Sequence, residues 1–236
     1  MNILVLDIGG THVKVWKTEE AEKTKFPSGK DLTPDALITG VKQVIADWPV
    51  ERISIGFPGD IRNGRPVAEP FNLGPGWVDI DFGHEFNCPV RVMNDAAMQA
   101  LGSYEGGKML YLGFGTGVGA TFIADGVIVP LAVGHIKLWE GETIDHYLSR
   151  AGLTRHGKKR WRQAVAEASA MLKSLLFADY VVLGGGNANE IKELPDGCRL
   201  GGNHNAYFGG LRMWEDVGEA AKPRLAVLPK VEAETA

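Results

Sequence analysis

The sequence contains few cysteines and no long apolar run. Only Cys88 and Cys198 are present, which excludes a scaffold of several disulfide bridges and a zinc site built from three or four thiolates. No segment approaches the ~18 uninterrupted apolar residues of a membrane span. Residues 1–7 lack the basic lead and the long apolar stretch of a signal peptide. We therefore expect a cytoplasmic protein that is not inserted in a membrane.

The sequence also lacks an excess of basic residues. The formal net charge is −4 and charged residues make up 23% of the chain, so the positive field needed to coat nucleic acid is missing. DNA and RNA are therefore not expected as partners. A chain of 236 residues is long enough for one large domain or two small ones, and length alone does not choose.

Two blocks of the sequence repeat one order: a strand, a glycine turn, a second strand, and later a helix and a third strand. The paired strands flanking the two turns are predicted over residues 2–8, 13–16, 109–114 and 120–124. The helix and third strand of each block are predicted over residues 35–48, 52–57, 158–177 and 180–183. This repetition predicts an α/β fold of two similar lobes with a cleft between them.

The same pattern divides the chain into three parts. We expect an N-terminal lobe over residues 1–107 and a C-terminal lobe over residues 108–215. Residues 216–236 are charged, contain Ala and Pro, and show no clear apolar period, which predicts a loose tail.

The first turn combines groups that suit a phosphate. Asp7 ends a predicted strand, Gly9 and Gly10 add no side-chain bulk, Thr11 brings a hydroxyl, and Lys14 lies on the next strand. Backbone N–H groups at such a turn can approach a phosphate closely, and the carboxylate can hold Mg²⁺ directly or through water. The alternative is a plain hairpin turn in which Asp7 only caps the backbone.

The second turn, residues 115–119, reads Gly-Thr-Gly-Val-Gly and again offers unobstructed N–H groups and a hydroxyl, from Thr116. A single glycine turn is often only structural, but two in corresponding places are harder to dismiss. A dinucleotide-binding site is not expected, because residues 120–123 favour a strand where that motif requires a helix.

Asn94 and Asp95 lie between a predicted strand over residues 90–93 and a helix-forming run over residues 96–101. One interpretation makes Asp95 the N-cap of that helix. The other makes it a general base, because a kinase acting on an alcohol needs a carboxylate within reach of the hydroxyl. One residue could fulfil both roles.

The ordered set of motifs resembles the ROK family of sugar kinases, and the later part resembles its polyphosphate glucokinase branch. The motifs are DIGGTHVKV, GFPGD, PFNLGPGW, ND, GFGTGVG, GH and VVLGGGN. The later part, which resembles the polyphosphate glucokinase branch, runs from DHYLSRAGLTRHGKKRW through LGGGNAN. The resemblance covers residues 2–214, and it implies the actin-like ATPase or sugar-kinase (ribonuclease H-like) fold. It also implies a hexose acceptor, with glucose favoured, a donor that is ATP or polyphosphate, Mg²⁺ as cofactor, and a homodimer.

The resemblance assigns a role to each matching residue. Asp95 matches the catalytic base, and Asp7 would hold Mg²⁺, directly or through water. The residues implied to bind the phosphoryl donor are Asp7, Gly9, Gly10, Thr11, Lys14, Thr116, Gly117, Gly185, Gly186 and Asn187. The residues implied to bind the sugar are Pro58, Gly59, Asn72, Asn94, Asp95 and His135.

Two departures from the family pattern keep other interpretations open. Ala132 stands where family members commonly have a sugar-binding Glu, so the acceptor could be a sugar other than glucose, or the chain could be a sensor that binds sugar without catalysis. Residues 136–160 contain no Cys, so no zinc site is expected and His135 is interpreted as a sugar ligand or a core histidine. Repressors of this family resemble the kinases but add an N-terminal DNA-binding helical module, and because the first predicted strand here begins at residue 2, a DNA-binding repressor is not expected.

Residues 155–162 form a locally basic run. A multivalent anion such as polyphosphate would favour it. The alternative is a solvated start of a helix, anchored on its apolar face by Trp161.

Overall fold

The computed structural model describes residues 1–18, 23–202 and 204–215. The helices are α1 (Pro34–Ile45), α2 (Phe82–Phe86), α3 (Asp95–Ser103), α4 (Ile144–Leu148), α5 (Arg150–Leu175) and α6 (Asn205–Arg212). The strands are β1 (Ile3–Ile8), β2 (His12–Lys17), β3 (Thr24–Pro27), β4 (Arg52–Phe57), β5 (Ile61–Arg62), β6 (Arg65–Pro66), β7 (Val90–Asn94), β8 (Lys108–Phe114), β9 (Val118–Ala124), β10 (Val127–Leu131), β11 (Tyr180–Gly184) and β12 (Cys198–Leu200). Short 3₁₀ helices span Val133–His135 and Gly186–Glu190.

Two five-stranded sheets repeat the same topology. Their strand orders are β3-β2-β1-β4-β7 and β10-β9-β8-β11-β12. In each, the first three strands form an antiparallel meander and the last two run parallel to the middle strand. β5 and β6 form a separate small hairpin.

The middle strands are buried on both faces. Every residue of β1 is buried, which fits its run of β-branched and apolar side chains, because a strand covered on both sides needs no polar alternation. β8 is buried along most of its length in the same way. The turns that follow these two strands therefore lie at the ends of buried central strands.

Helices cover the outer faces of the sheets. α1 begins after Thr33, whose side chain accepts a hydrogen bond from Ala36 N, and Pro34 occupies the first turn. Its buried residues Leu37 and Val41 join the core of the first sheet, and α5 covers the second sheet through Trp161 and neighbouring apolar residues. None of the helices in the described part of the chain has the length and hydropathy to cross a bilayer.

α3 and α6 pack against each other on the inner side of the molecule. Their backbones touch at two glycines: a Cβ on Gly102 would lie 1.9 Å from Asn205 O, and one on Gly209 would lie 1.8 Å from Met98 O. α6 follows the second sheet in sequence, yet it contacts β1 and β4 of the first sheet. The chain thus returns to the first sheet after completing the second.

Several helix boundaries differ from the prediction. The helix expected over residues 35–48 is Pro34–Ile45, and the helix expected over residues 158–177 is longer at its start, running Arg150–Leu175 with a break at Gly157 (φ 73°). The glycine there permits a left-handed backbone between two helical segments. The tail predicted over residues 216–236 lies outside the described residues.

Candidate active site

The first turn holds Asp7 at the end of β1. Asp7 is 2% exposed, and its Oδ2 accepts a hydrogen bond of 2.7 Å from the Lys14 ammonium on the neighbouring strand. Its Oδ1 is buried and has no hydrogen-bond partner among the described residues. A buried carboxylate oxygen without a partner is costly, so this atom is suited to a cation or to a water bound to one.

Gly9 and Gly10 form the bend that follows Asp7. Gly9 N donates to His12 O at 3.1 Å, and a Cβ on Gly10 would lie 3.3 Å from the Asn72 side chain. Thr11, also in the bend, is exposed. The structure therefore brings Asn72, predicted for the sugar, against the turn predicted for the donor phosphate.

Asp95 begins α3, but it is not the helix cap. Asn94 is the N-cap: its Oδ1 accepts from Ala97 N at 3.2 Å, while Asp95 Oδ1 accepts from Ala96 N at 2.8 Å. The interpretation of Asp95 as an N-cap is therefore wrong, because the preceding asparagine takes that role. The Asp95 side chain is freed for other chemistry.

Asn94 also links the helix start to the loop after β4. Its Nδ2 donates to Gly59 O at 3.2 Å. The Asn94 amide is thus engaged in local structure at both ends, and it fixes the Pro58-Gly59 segment beside Asp95. Gly56 on β4 also lies against Asp95, since a Cβ there would lie 3.3 Å from the Asp95 Cα.

The two carboxyl groups of the site influence each other. Burial, and next the neighbouring Asp7 carboxylate, raise the pKa of Asp95 from its ordinary 3.8 to about 7. The N–H of Ala96 and the Lys14 ammonium oppose this rise. Protein atoms crowd the Asp95 carboxyl, although part of the residue remains exposed. This environment creates a carboxyl group that can exchange a proton near neutral pH.

Tyr111 lies at the centre of the site, and sequence reasoning missed it. It is 1% exposed on β8, and its hydroxyl donates to Gln99 Oε1 on α3 at 2.6 Å. Burial, then the carboxylates of Asp7 and Asp95, raise the Tyr111 pKa, so the hydroxyl stays protonated; the Gly185 backbone opposes that shift. The only sequence signal was a tyrosine inside the otherwise aliphatic strand that precedes the second glycine turn.

The second turn, with Thr116 and Gly117, contacts a third carboxylate, Asp145, which sequence reasoning missed. Asp145 Oδ1 accepts from Val118 N at 2.7 Å, and a Cβ on Gly117 would lie 3.5 Å from the same oxygen. A Cβ on Gly134 would lie 2.8 Å from the Asp145 carboxylate, so both glycines leave room for it. Asp145 therefore joins the second turn to the Gly-His segment. Thr116 is exposed above it.

His135 ends the 3₁₀ helix Val133–His135 and is exposed. Its imidazole forms no hydrogen bond or ion pair with the residues that the structure describes. His135 is therefore not a buried core histidine, and the corresponding alternative is wrong.

The third glycine segment follows β11. Gly185 has φ 80°, and a Cβ there would lie 2.5 Å from the backbone of Phe114, the last residue of β8. Gly186 begins the 3₁₀ helix Gly186–Glu190 and has open space where a side chain would be. Asn187 is 8% exposed, and its Nδ2 has no hydrogen-bond partner in the described part of the chain.

These contacts converge on the start of α3. Tyr111 is near Asp7, Asp95 and the Gly185 backbone, and a Cβ on Gly119, at the end of the second turn, would lie 2.8 Å from Ala96 Cβ. The structure thus brings all three glycine segments to one region between the sheets. Thr116, Gly117 and His135 are linked to it through Asp145 and the second turn.

The basic run over residues 155–162 is largely paired within the fold. Arg160 forms an ion pair with Glu167, Lys158 and Arg162 pair with Glu190, and Arg155 donates to His146 O. Trp161 is fully buried, as the prediction of an apolar anchor required. Most of these cations therefore already have partners.

Comparison with known proteins places the chain in a family. The model described as "ROK family" matches residues 3–137. A polyphosphate glucokinase of Mycobacterium leprae (strain TN) is 22% identical over 204 residues, 77% of this chain and 62% of that protein. The chain thus spans less than two thirds of the length of that relative.

Solved structures share the fold. An inorganic polyphosphate/ATP-glucomannokinase from Arthrobacter sp. strain KM matches with a TM-score of 0.75 and 24% identity, covering 88% of this chain and 96% of that one. A ROK family transcriptional regulator, a homologue of the Escherichia coli MLC protein, matches with a TM-score of 0.69 and 16% identity, covering 89% and 76%. The predicted fold class, two similar α/β lobes of the actin-like type, is confirmed.

Proposed function

The chain belongs to the ROK family, and from that premise we propose that it transfers a phosphoryl group to a hexose hydroxyl, with Asp95 as general base. The observation that carries the proposal is the pair of carboxyl groups formed by Asp7, at the end of β1, and Asp95, at the start of α3. Asp95, with its pKa raised to about 7, lies beside Asp7, whose Oδ2 accepts a hydrogen bond from Lys14. Two carboxyl groups with different environments are suited to different roles.

Asp95 has the properties of a base for an alcohol. A general base is most effective when its pKa lies near the working pH, because it is then both unprotonated and able to hold the proton it receives. A sugar hydroxyl that donates to Asp95 would lose its proton as its oxygen bonds to the terminal phosphorus of the donor, while the bond from that phosphorus to the donor's bridging oxygen breaks and the donor leaves one phosphate shorter. The proton would remain on Asp95 until the product leaves.

Asp7 is the residue proposed to hold Mg²⁺. Its unpartnered Oδ1 can bind the ion or one of its waters, and the ion would neutralise charge on the donor phosphates. Lys14 donates a hydrogen bond to the other oxygen, Oδ2, and so holds the carboxylate in place. The N–H groups of the turn after Asp7 would bind phosphate oxygens.

The donor is proposed to be ATP or inorganic polyphosphate, held between the first turn, the second turn and the Gly185–Asn187 segment. Relatives named for polyphosphate, and one named for both donors, support this choice. Thr116 and Gly117 would bind donor phosphates from the second lobe. Gly186, with open space above it, would allow close approach of a large group.

The acceptor is proposed to be a hexose, with glucose favoured. Asn72, the Pro58-Gly59 segment, Asn94 and His135 offer polar groups that hydrogen bond to sugar hydroxyls. Ala132 leaves the acceptor without a family carboxylate, and Asp145, next to Gly134, is a candidate replacement. A panel of hexoses with both donors would identify the acceptor.

Replacing Asp95 by Asn tests the base. We expect turnover to fall by about 10² or more, the usual scale for a lost general base, while sugar affinity is largely kept. Product formation with glucose, Mg²⁺ and either donor gives the rate, and calorimetry gives the sugar affinity. Asp125→Asn is a matched control, because Asp125 is an exposed residue of the β9–β10 turn, where Asn tolerates the positive φ of 50°.

Near-parental turnover in Asp95→Asn would remove Asp95 from the mechanism.

A second candidate function is a sugar sensor, which the Ala132 departure and the similarity to a transcriptional regulator favour. A sensor would bind sugar and form no sugar phosphate with either donor in the parental chain. The same assay therefore separates the two functions.

A further inference from the structure

One carboxylate next to the donor segment is surrounded by cations. Glu190 ends the 3₁₀ helix that begins at Gly186, and its Oε2 lies 2.7 Å from Lys158 Nζ and 3.9 Å from Arg162 Nη2. Arg162 Nε also donates to the Glu190 carbonyl at 2.6 Å. The helix α5 therefore binds the end of the donor segment through two basic side chains.

The local charge is not balanced. The charged groups that act most strongly on Glu190 are Lys158, Arg162 and Lys192, and together they lower the Glu190 pKa. The Glu190 carboxylate thus contacts two cations of α5, and a third cation, Lys192, lies two residues further along the chain and acts on it electrostatically. The three side chains of these ion pairs remain accessible to solvent, with exposures of 62% for Lys158, 27% for Arg162 and 32% for Glu190. A ligand carrying several negative charges would match these cations better than one carboxylate does.

The same short helix contains a second unmet group. In a 3₁₀ helix the side chains at i and i+3 lie one above the other, so Asn187 and Glu190 share a face. Asn187 is more than nine-tenths buried, and its Nδ2 has no acceptor among the described residues. A buried amide donor without a partner needs an oxygen acceptor. An anionic oxygen entering this corner would supply one.

We propose that Glu190 occupies, in the absence of donor, the position of a phosphate of linear inorganic polyphosphate, so that Lys158, Arg162 and Lys192 form a subsite for the far end of that donor. This inference rests on the proposed kinase function. ATP carries its charge at the transferred end and ends in a nucleoside without charge. Polyphosphate is charged along its whole length, so only polyphosphate would place phosphates beside these cations. The corner would therefore discriminate between the two donors.

The test is Glu190→Gln in the full chain, measured as the ratio of KM for long-chain polyphosphate to KM for ATP at one sugar concentration. Removing the competing carboxylate should lower this ratio by about threefold or more relative to the parent. High salt should reduce the difference between the variant's ratio and the parental ratio. Lys158→Gln should change the ratio in the opposite direction. Glu167→Gln is the matched control, because Glu167 also pairs with an arginine of α5, Arg160, away from the donor segment; its ratio should equal the parental one.

A purely structural role for Glu190 predicts a different result. If Glu190 only held the donor segment in place, Glu190→Gln would raise both KM values together or leave their ratio unchanged, and either result would overturn the subsite. Measuring the direct binding of fluorescently labelled polyphosphate separates failure of the subsite proposal from failure of the kinase proposal. Tighter binding to Glu190→Gln supports the subsite even in a chain without transfer activity, whereas unchanged or weaker binding refutes it.

Discussion

Asp95 illustrates how a single side chain acquires its chemistry from its neighbours. Its position between a strand and a helix could be predicted, because the residues before it are β-branched and those after it form helices well. That Asn94 and not Asp95 caps α3 could not be predicted, since both residue types are good caps. The raised pKa comes first from burial and next from Asp7, 88 positions away in the sequence; both depend on residues that are brought together only by the fold.

The raised pKa of Asp95 makes stability depend on pH. Between about pH 4 and the folded pKa of about 7, the folded chain holds a proton on Asp95 that the unfolded chain has lost. Asp95 therefore destabilises the fold increasingly as the pH rises through this range. Asp95→Asn removes the ionisation, so we expect it to raise Tm at pH 8 relative to the parent. The increase should correspond to about 1–3 kcal/mol in the free energy of unfolding, and Tm at pH 4 should change little.

Thermal unfolding of both proteins at several pH values gives the comparison. Groups with lowered pKa values, such as Glu167 and Asp81, affect both proteins equally and cancel in the difference. An equal Tm difference at pH 4 and pH 8 would mean that Asp95 ionises normally in the fold.

At the scale of elements, the strand and turn order was predicted well, and of the two inner helices α3 was predicted and α6 was not. The runs of β-branched residues located β1, β4, β8 and β11 to within a residue or two, because buried strands leave a strong apolar signal. α6 was not predicted, since its sequence, NAYFGGLR, holds two glycines that weaken a helical pattern. Gly209 lies against the backbone of α3 at Met98, and Gly210 lies against the Val5 side chain of β1. The glycines that weaken the helical pattern of α6 are thus the residues that allow it to pack closely.

The contact between α3 and α6 should be intolerant of a methyl group. A Cβ on Gly102 would lie 1.9 Å from Asn205 O and 2.7 Å from Gly209 N, and backbone atoms cannot move aside as a flexible side chain can. We expect Gly102→Ala to lower the free energy of unfolding by about 1–3 kcal/mol or more, measured by urea denaturation. Gly83→Ala in α2 is the control, because its Cβ would meet nothing closer than 3.3 Å. Equal stability of the two variants would contradict this packing.

Across the whole molecule, the two sheets are equivalent in strand order but are joined by contacts that no local pattern predicts. The C-terminal end of α3 is held by two arginines from the second half of the chain: Arg212 donates to Leu101 O and Tyr104 O, and Arg199 donates to Ser103 O. Cations at a helix C-terminus satisfy its free carbonyl groups. The helix that carries Asp95 is therefore fixed at its far end by the other half.

The hydrogen bond from Tyr111 to Gln99 is the buried polar link between β8 of the second sheet and α3. Tyr111→Phe would leave Gln99 Oε1 without its donor, and we expect the free energy of unfolding to fall by about 1–3 kcal/mol. Gln99→Leu would leave the tyrosine hydroxyl unpaired and should have a similar cost. The double variant removes both polar groups, so its loss should be smaller than the sum of the single losses, by about 1 kcal/mol in urea denaturation. Losses that simply add would mean that the two side chains do not couple the lobes, and that the sheets are joined through the helix contacts alone.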